Sequence, residues 1–182
     1  MKLKMFLLCA ICSFGVILPT FAAQFIFSGA AVYGGAVFPE NWDTGFNVGA
    51  GAYFGPLSEG IYLVPSLTYW ESSAVQEDDA EVGISDFSIA VDVHYFFMKQ
   101  QQGAYIGGGL SYNMLSWEYT YIAYPYGSRY WVDNSESKIG FAPLGGYLFN
   151  LGKLTALIEA KYNLISDFNT FQISLGLIFG RK

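Results

Sequence analysis

Cysteine is almost absent from this sequence of 182 residues, in which Cys9 and Cys12 are the only two. Both lie in an apolar N-terminal stretch that follows two lysines and ends in small residues. This pattern predicts a secretory signal peptide over residues 1–22, cleaved after Ala22. The remaining domain, 23–182, would then contain no cysteine, which excludes a disulfide framework and a cysteine metal site.

Basic residues are also scarce. Nine Lys and Arg residues stand against 15 Asp and Glu residues, which gives a net charge of −6. Lys2 and Lys4 lie in the predicted signal peptide, so cleavage would move the net charge to −8. Because nucleic acid binding depends on a basic surface that neutralises phosphates, we expect no nucleic acid partner.

Long apolar runs are missing after residue 25. A transmembrane helix needs about 20 consecutive apolar residues, and no later segment reaches that length. The chain is nevertheless 53% hydrophobic, with 14 Tyr, 16 Phe and 21 Gly residues. An exported chain that is apolar, aromatic and rich in glycine, without a spanning helix, favours a transmembrane β-barrel.

Apolar side chains alternate with small or polar ones along most of the chain. In 45–55, for example, Phe46 and Val48 alternate with Asn47 and Gly49. Side chains two residues apart share one face of a strand, so such segments predict strands with one apolar face. Eight strands are predicted, at about 25–37, 45–55, 61–70, 84–97, 104–115, 137–149, 154–164 and 170–180. The predicted fold class is therefore all-β, an eight-stranded antiparallel up-and-down transmembrane β-barrel.

Alternation alone also fits a soluble, ligand-binding barrel of lipocalin type, in which the apolar faces would point inward. Connector lengths favour the membrane barrel: the two longest connectors, about 71–83 and 118–136, fall on one side, and every connector on the other side is short. Long external loops and short periplasmic turns are typical of outer-membrane barrels. Pro65 and Pro143 fall inside predicted strands, where we expect a bulge or a displaced strand end.

Three segments carry a resemblance to a known group of proteins. They are the opening "FSGAAVYGGAVF", the penultimate strand "LIEAKYNL" and the closing "FQISLGLIFGRK". The chain resembles the small eight-stranded outer-membrane barrels of the OmpX/Ail and opacity type, over the whole of 23–182. Ser174, Gly176 and Phe179 match the C-terminal assembly signal of such barrels, whereas Arg181 stands where the last aromatic residue is usual.

The resemblance implies a location and a set of partners. The location would be the bacterial outer membrane, with both termini periplasmic. The partners would be outer-membrane lipids and lipopolysaccharide, and the barrel-assembly machinery acting through the C-terminal strand. No cofactor is expected.

Five acidic or basic side chains and the only histidine fall on the predicted inward faces. They are Asp86, Asp92, His94, Lys138, Glu159 and Lys161, and all but Asp86 are candidates for one network. An eight-stranded barrel is just wide enough for its side chains to fill, and buried charge is tolerated when it is paired and hydrogen-bonded. We expect a polar network inside the barrel with a structural role, in preference to a proton or ion relay or a conducting channel.

Enzymes that modify lipid A occur among barrels of this kind. The deacylases among them use a His and a Ser two residues apart, but the only histidine here reads His94-Tyr95-Phe96. We therefore expect no catalytic activity, with a lipid-A-modifying enzyme as the alternative.

Two segments between predicted strands have a biased composition. The first is acidic, with Glu71, Glu77, Asp78, Asp79 and Glu81, and its spacing matches no EF-hand loop. We interpret it as a solvated acidic loop, with Ca²⁺ binding as the alternative.

The second segment is aromatic, with Tyr119, Tyr121, Tyr124, Tyr126, Tyr130 and Trp131. Aromatic residues are enriched at membrane interfaces and in protein-binding surfaces. The segment is therefore interpreted as an extended strand pair with an aromatic girdle or as a surface-interaction loop. The predicted function is a structural or adhesion-like role at the cell surface.

Overall fold

In a computed structural model, the residues that can be described are 26–76, 80–98, 101–123, 128–152, 154–166 and 168–180. They form eight strands: β1 Phe27–Pro39, β2 Gly45–Ser58, β3 Ile61–Gln76, β4 Ala80–Phe96, β5 Gly103–Ala123, β6 Ser128–Leu151, β7 Leu154–Ile165 and β8 Phe168–Phe179. No helix in this part of the chain is long and apolar enough to cross a membrane. The predicted signal peptide, 1–22, lies outside the described residues.

The eight strands close into one barrel. Each strand pairs antiparallel with the next along the chain, and β8 pairs with β1. This seam runs from Ala30 opposite Phe179 to Pro39 opposite Thr170, which fixes the register of the first strand. The predicted fold class, an eight-stranded antiparallel up-and-down barrel, is confirmed.

The apolar faces point outward. Phe46, Val91 and Leu175 are 49%, 46% and 61% exposed, whereas Asp92 is 3% exposed inside the barrel. Exposed large apolar residues recur on every strand, and a continuous apolar surface of this kind marks a membrane or protein contact. The lipocalin-type arrangement, with apolar faces inside, is excluded.

Two hairpins extend beyond the rest of the barrel. In the first, β3 and β4 have 16 and 17 residues, and in the second, β5 and β6 have 21 and 24, whereas β7 and β8 have 12 each. The side of the barrel that carries these hairpins is called the hairpin end. The opposite side, where residues 59–60 join β2 to β3, is called the turn end. Strand pairing continues through most of both predicted long connectors, 71–83 and 118–136. The first was therefore wrong as a loop, and the second forms the extended strand pair that was one of its two interpretations. Their Tyr, Trp, Val and Thr residues favour extended pairing, which explains the difference.

The two prolines do not cause bulges, contrary to the prediction. Pro65 lies opposite Val91 and Pro143 opposite Gly108 in unshifted register. The pairing is interrupted only on the other side of each proline, toward β2 and β7 respectively. In an antiparallel strand a residue directs its N–H and C=O to one neighbour, so a proline weakens one ladder and leaves the other intact.

The interior has three layers. An apolar cluster at the turn end contains Tyr53, Tyr62, Phe96, Tyr105, Leu148 and Leu157, among others. A second apolar cluster at the hairpin end contains Val37, Trp70, Ile84, Leu115, Ile165 and Phe168. Buried polar residues lie between them, including Asn47, Ser66, Thr68, Asp92, Asn113 and Gln172. Side chains therefore fill the described barrel from end to end.

Candidate functional site

A charged cluster occupies the polar layer. β4 directs Asp92 and His94 inward, and β7 directs Glu159 and Lys161 inward from across the barrel. Each pair is two residues apart, so both members share the interior face of their strand. Four of the residues predicted as an interior network are thus brought together.

Lys161 and Asp92 form the central contact of this cluster. The Lys161 ammonium donates to both carboxylate oxygens of Asp92, at 2.9 and 2.8 Å. The two side chains are only 12% and 5% exposed. A charge-assisted, two-point contact in a poorly hydrated interior satisfies both ions and joins β4 to β7 across the barrel.

Glu159 is held by a residue that the sequence analysis did not single out. The Tyr105 hydroxyl donates to a Glu159 carboxylate oxygen at 2.7 Å. The same tyrosine ring stacks on His94, with ring centres 4.7 Å apart. A Cβ atom on Gly146 would lie 2.5 Å from the Tyr105 hydroxyl oxygen, so a glycine at that position makes room for the ring. The sequence did contain a signal for this residue, because Tyr105 shares one face of its strand with Gly107 and Gly109.

Lys138 does not join the cluster. Its ammonium lies 3.3 Å from the Glu136 carboxylate and donates to the Ser166 carbonyl oxygen at 3.0 Å. Along β6, Lys138 is six residues from Leu144, which lies opposite Lys161. That separation is roughly 20 Å along a strand. The prediction placed Lys138 on the inward face but could not assign its position along the barrel axis.

A second buried carboxylate lies nearer the hairpin end. The Trp70 indole N–H donates to Asp86 Oδ2 at 3.1 Å, and Asp86 is 2% exposed. Trp70 stacks in parallel on Phe168, with ring centres 5.9 Å apart. These contacts hold Trp70 and Phe168 in place within the apolar cluster at the hairpin end.

The aromatic segment is mostly strand. Tyr119 and Tyr121 lie in β5, opposite Val132 and Tyr130 of β6, and Thr120 lies opposite Trp131. Tyr124 and Tyr126 lie outside the described residues. The backbone pairing corresponds to an extended strand pair.

The acidic segment also becomes a hairpin. Glu71 belongs to β3 and Glu81 to β4, whereas Glu77, Asp78 and Asp79 lie outside the described residues. Within the ranges that the structure describes, no group of three or more His, Cys, Asp or Glu side chains could hold a metal ion.

An open groove of about 890 Å³ lies at the hairpin end. Serine hydroxyls line much of it, from Ser72, Ser73, Ser85, Ser116 and Ser135. Two carboxylates, Glu71 and Glu118, and three aromatic side chains, Phe46, Tyr69 and Trp117, also line it. The Tyr69 hydroxyl donates to Glu71 at 2.7 Å, which holds that carboxylate at the groove. The groove combines hydrogen-bonding groups with negative charge.

Solved structures share this fold. The chain is similar to the Ail attachment invasion locus protein of Yersinia pestis, with a TM-score of 0.51, 13% identity, and 86% of this chain and 98% of that chain covered. It is also similar to Neisserial surface protein A, with a TM-score of 0.50, 11% identity, and 84% and 95% covered. No protein-family model matches the sequence, and no curated protein matches it either.

These similarities define a class. The chain has the fold of the small eight-stranded outer-membrane β-barrels. A further structure of Ail, in complex with the heparin analogue sucrose octasulfate, matches with a TM-score of 0.50, 14% identity, and 84% and 98% covered.

Proposed function

We propose that this protein is an integral barrel of the bacterial outer membrane that displays an interaction surface on its β3–β4 and β5–β6 hairpins. The observation that carries the proposal is the reversed partition of the strands, with apolar side chains outside and paired charges inside. The turn end would face the periplasm and the hairpin end the exterior, as in barrels with long external and short periplasmic connections.

The barrel would serve as an anchor for the hairpins. Both ends of the interior are filled by apolar side chains, and the Lys161–Asp92 contact crosses the middle. Eight strands leave room for side chains but for no aqueous channel.

We expect no stepwise conductance when the purified protein is added to planar lipid bilayers. A matched addition of a porin in the same lipid would show that the bilayers report channels. Reproducible channel steps from this protein would contradict the anchor role.

The hairpin end would carry the interaction. The proposal is supported by the length of β5 and β6 and by the open groove beside them. The similar Ail protein is named as the attachment invasion locus protein, and one of its structures contains a heparin analogue. Glu71 and Glu118 border the groove of this chain, so like-charge repulsion disfavours a polyanionic ligand there. A partner with a neutral or basic surface fits better.

Shortening the β5–β6 hairpin tests this role. Residues 120–131 are replaced by Asn-Gly, which joins Tyr119 to Val132, two residues already paired. We expect bacteria that express this variant to lose at least roughly tenfold in binding to cultured epithelial cells, because the aromatic segment is a candidate contact surface. Sucrose octasulfate should not compete with binding of the unaltered protein.

A matched shortening of the β3–β4 hairpin tests the other half of the proposed surface. Residues 75–81 are replaced by Asn-Gly between Ala74 and Val82, which are also paired. Both variants should remain in the outer-membrane fraction and keep heat-modifiable gel mobility. Full cell binding by the β5–β6 variant, with both proteins folded, would contradict the adhesion-like role.

We also propose that the protein is not an enzyme. His94 is stacked on Tyr105 and lies 3.9 Å from Glu159 in the barrel interior, where a lipid substrate has no access. Mass spectrometry of lipid A is expected to give the same species with and without the gene. A mass difference that His94→Phe abolishes would establish the alternative, a lipid-A-modifying enzyme.

A further inference from the structure

A small cavity of about 20 Å³ lies beside the charged cluster in the barrel interior. Its polar lining comes from Tyr33, Tyr53, Ser66, Asp92, His94 and Glu159. A buried water needs roughly 10–15 Å³ by this kind of measure, so the cavity has room for one water molecule and little else.

Polar atoms at this cavity are left without partners. Within the described part of the chain, the Ser66 hydroxyl and both imidazole nitrogens of His94 make no hydrogen bond. Ser66 is 7% exposed and His94 is 2% exposed, so bulk water does not serve them. Buried polar groups in folded proteins are nearly always satisfied, by protein or by an ordered water.

The spacing between His94 and Glu159 supports the same conclusion. His94 Nε2 lies 3.9 Å from the nearest Glu159 oxygen, which is too long for a direct hydrogen bond. The distance is short enough that one water molecule, placed to the side of the line between the His94 nitrogen and the Glu159 oxygen, can contact both atoms. Tyr105 already donates to this carboxylate oxygen, which can accept a further hydrogen bond through its other lone pair.

We propose that the cavity binds one structural water molecule. The water donates to Glu159 and completes its contacts with His94 and Ser66. These partners are within the two to four polar contacts that buried waters make. The water connects β3, β4 and β7 inside the barrel, in addition to the direct Lys161–Asp92 contact.

A high-resolution crystal structure of the detergent-solubilised barrel tests the site. We expect a single density peak at about 2.6–3.2 Å from both Glu159 and His94. In the Ser66→Val variant the two methyl groups occupy the cavity and the peak should disappear. In the control, Ser88→Ala, another buried serine changes outside the cavity lining, so the peak should remain.

Other outcomes would overturn the proposal. One is a His94 ring that hydrogen-bonds Glu159 directly with the cavity empty. Another is a peak that refines as a sodium ion, with short contacts to oxygen only.

Because a variant can fail to fold, a magnetisation-transfer measurement from water to the His94 ring in unaltered protein provides a second test. Transfer supports a resident water, and its absence, with a resolved His94 signal, counts against it.

Discussion

Replacement of Lys161 by methionine is expected to lower the free energy of unfolding by about 3–5 kcal/mol. The change removes both hydrogen bonds to Asp92 and leaves that carboxylate buried and unpaired. Adding Asp92→Asn to Lys161→Met should recover part of the loss, because position 92 then no longer carries an unpaired charge. The measurement is unfolding by urea in detergent micelles, with the folded fraction read from heat-modifiable gel mobility.

Lys138→Met is the matched control for this experiment. The Lys138 side chain is 14% exposed, but that of its partner Glu136 is 55% exposed, so water can hydrate Glu136 when Lys138 is replaced. Ion pairs with an exposed partner contribute about 0–1 kcal/mol, so this variant should lose much less stability than Lys161→Met. If the two lysine variants were equally stable, the interior contact would not be the stabilising one, and the layered description of the interior would be wrong.

A charge in the middle of the apolar belt should have the second large effect. Val91 lies at the centre of the outward residues of β4, opposite Pro65 and Leu110. Arginine at the midplane of a barrel's lipid face costs about 2–4 kcal/mol. We therefore expect Val91→Arg to reduce strongly the fraction that folds into lipid vesicles, measured by gel mobility.

Ser135→Arg tests the same substitution above the belt. Ser135 is exposed at the hairpin end and lies opposite Ser116. We expect it to fold like the unaltered chain, since the side chain reaches water. Equal folding of the Val91 and Ser135 variants would mean that the outer surface does not face hydrocarbon, and the membrane assignment would fail.

The face of each strand could be predicted from the sequence because alternation has a period of two. Phe46, Val91 and Leu175 are outside and Asp92 is inside, as that period requires. Strand ends were less predictable. The acidic segment after Glu71 was assigned to a loop, and the aromatic segment around Trp131 was left between a strand pair and a loop, although strands can continue into water when their residues favour extended pairing.

The site was only partly predictable for a related reason. Alternation places a residue on a face but does not give its height, which depends on the register between strands. Asp92 and Lys161 meet because β4 and β7 reach the same height, whereas Lys138 on the same interior surface does not. Tyr105 was missed because the face it shares with two glycines indicates only space for its ring, and nothing in the sequence shows that the ring will stack on His94.

The order of the strands also has a consequence for assembly. Seven of the eight strand pairings join neighbours along the chain, but Ala30 can meet Phe179 only when the whole chain is available. Closing so long a loop is slower than forming a hairpin. The β1–β8 seam should therefore form last, and until then both terminal strands present unpaired backbone edges that need protection from other chains.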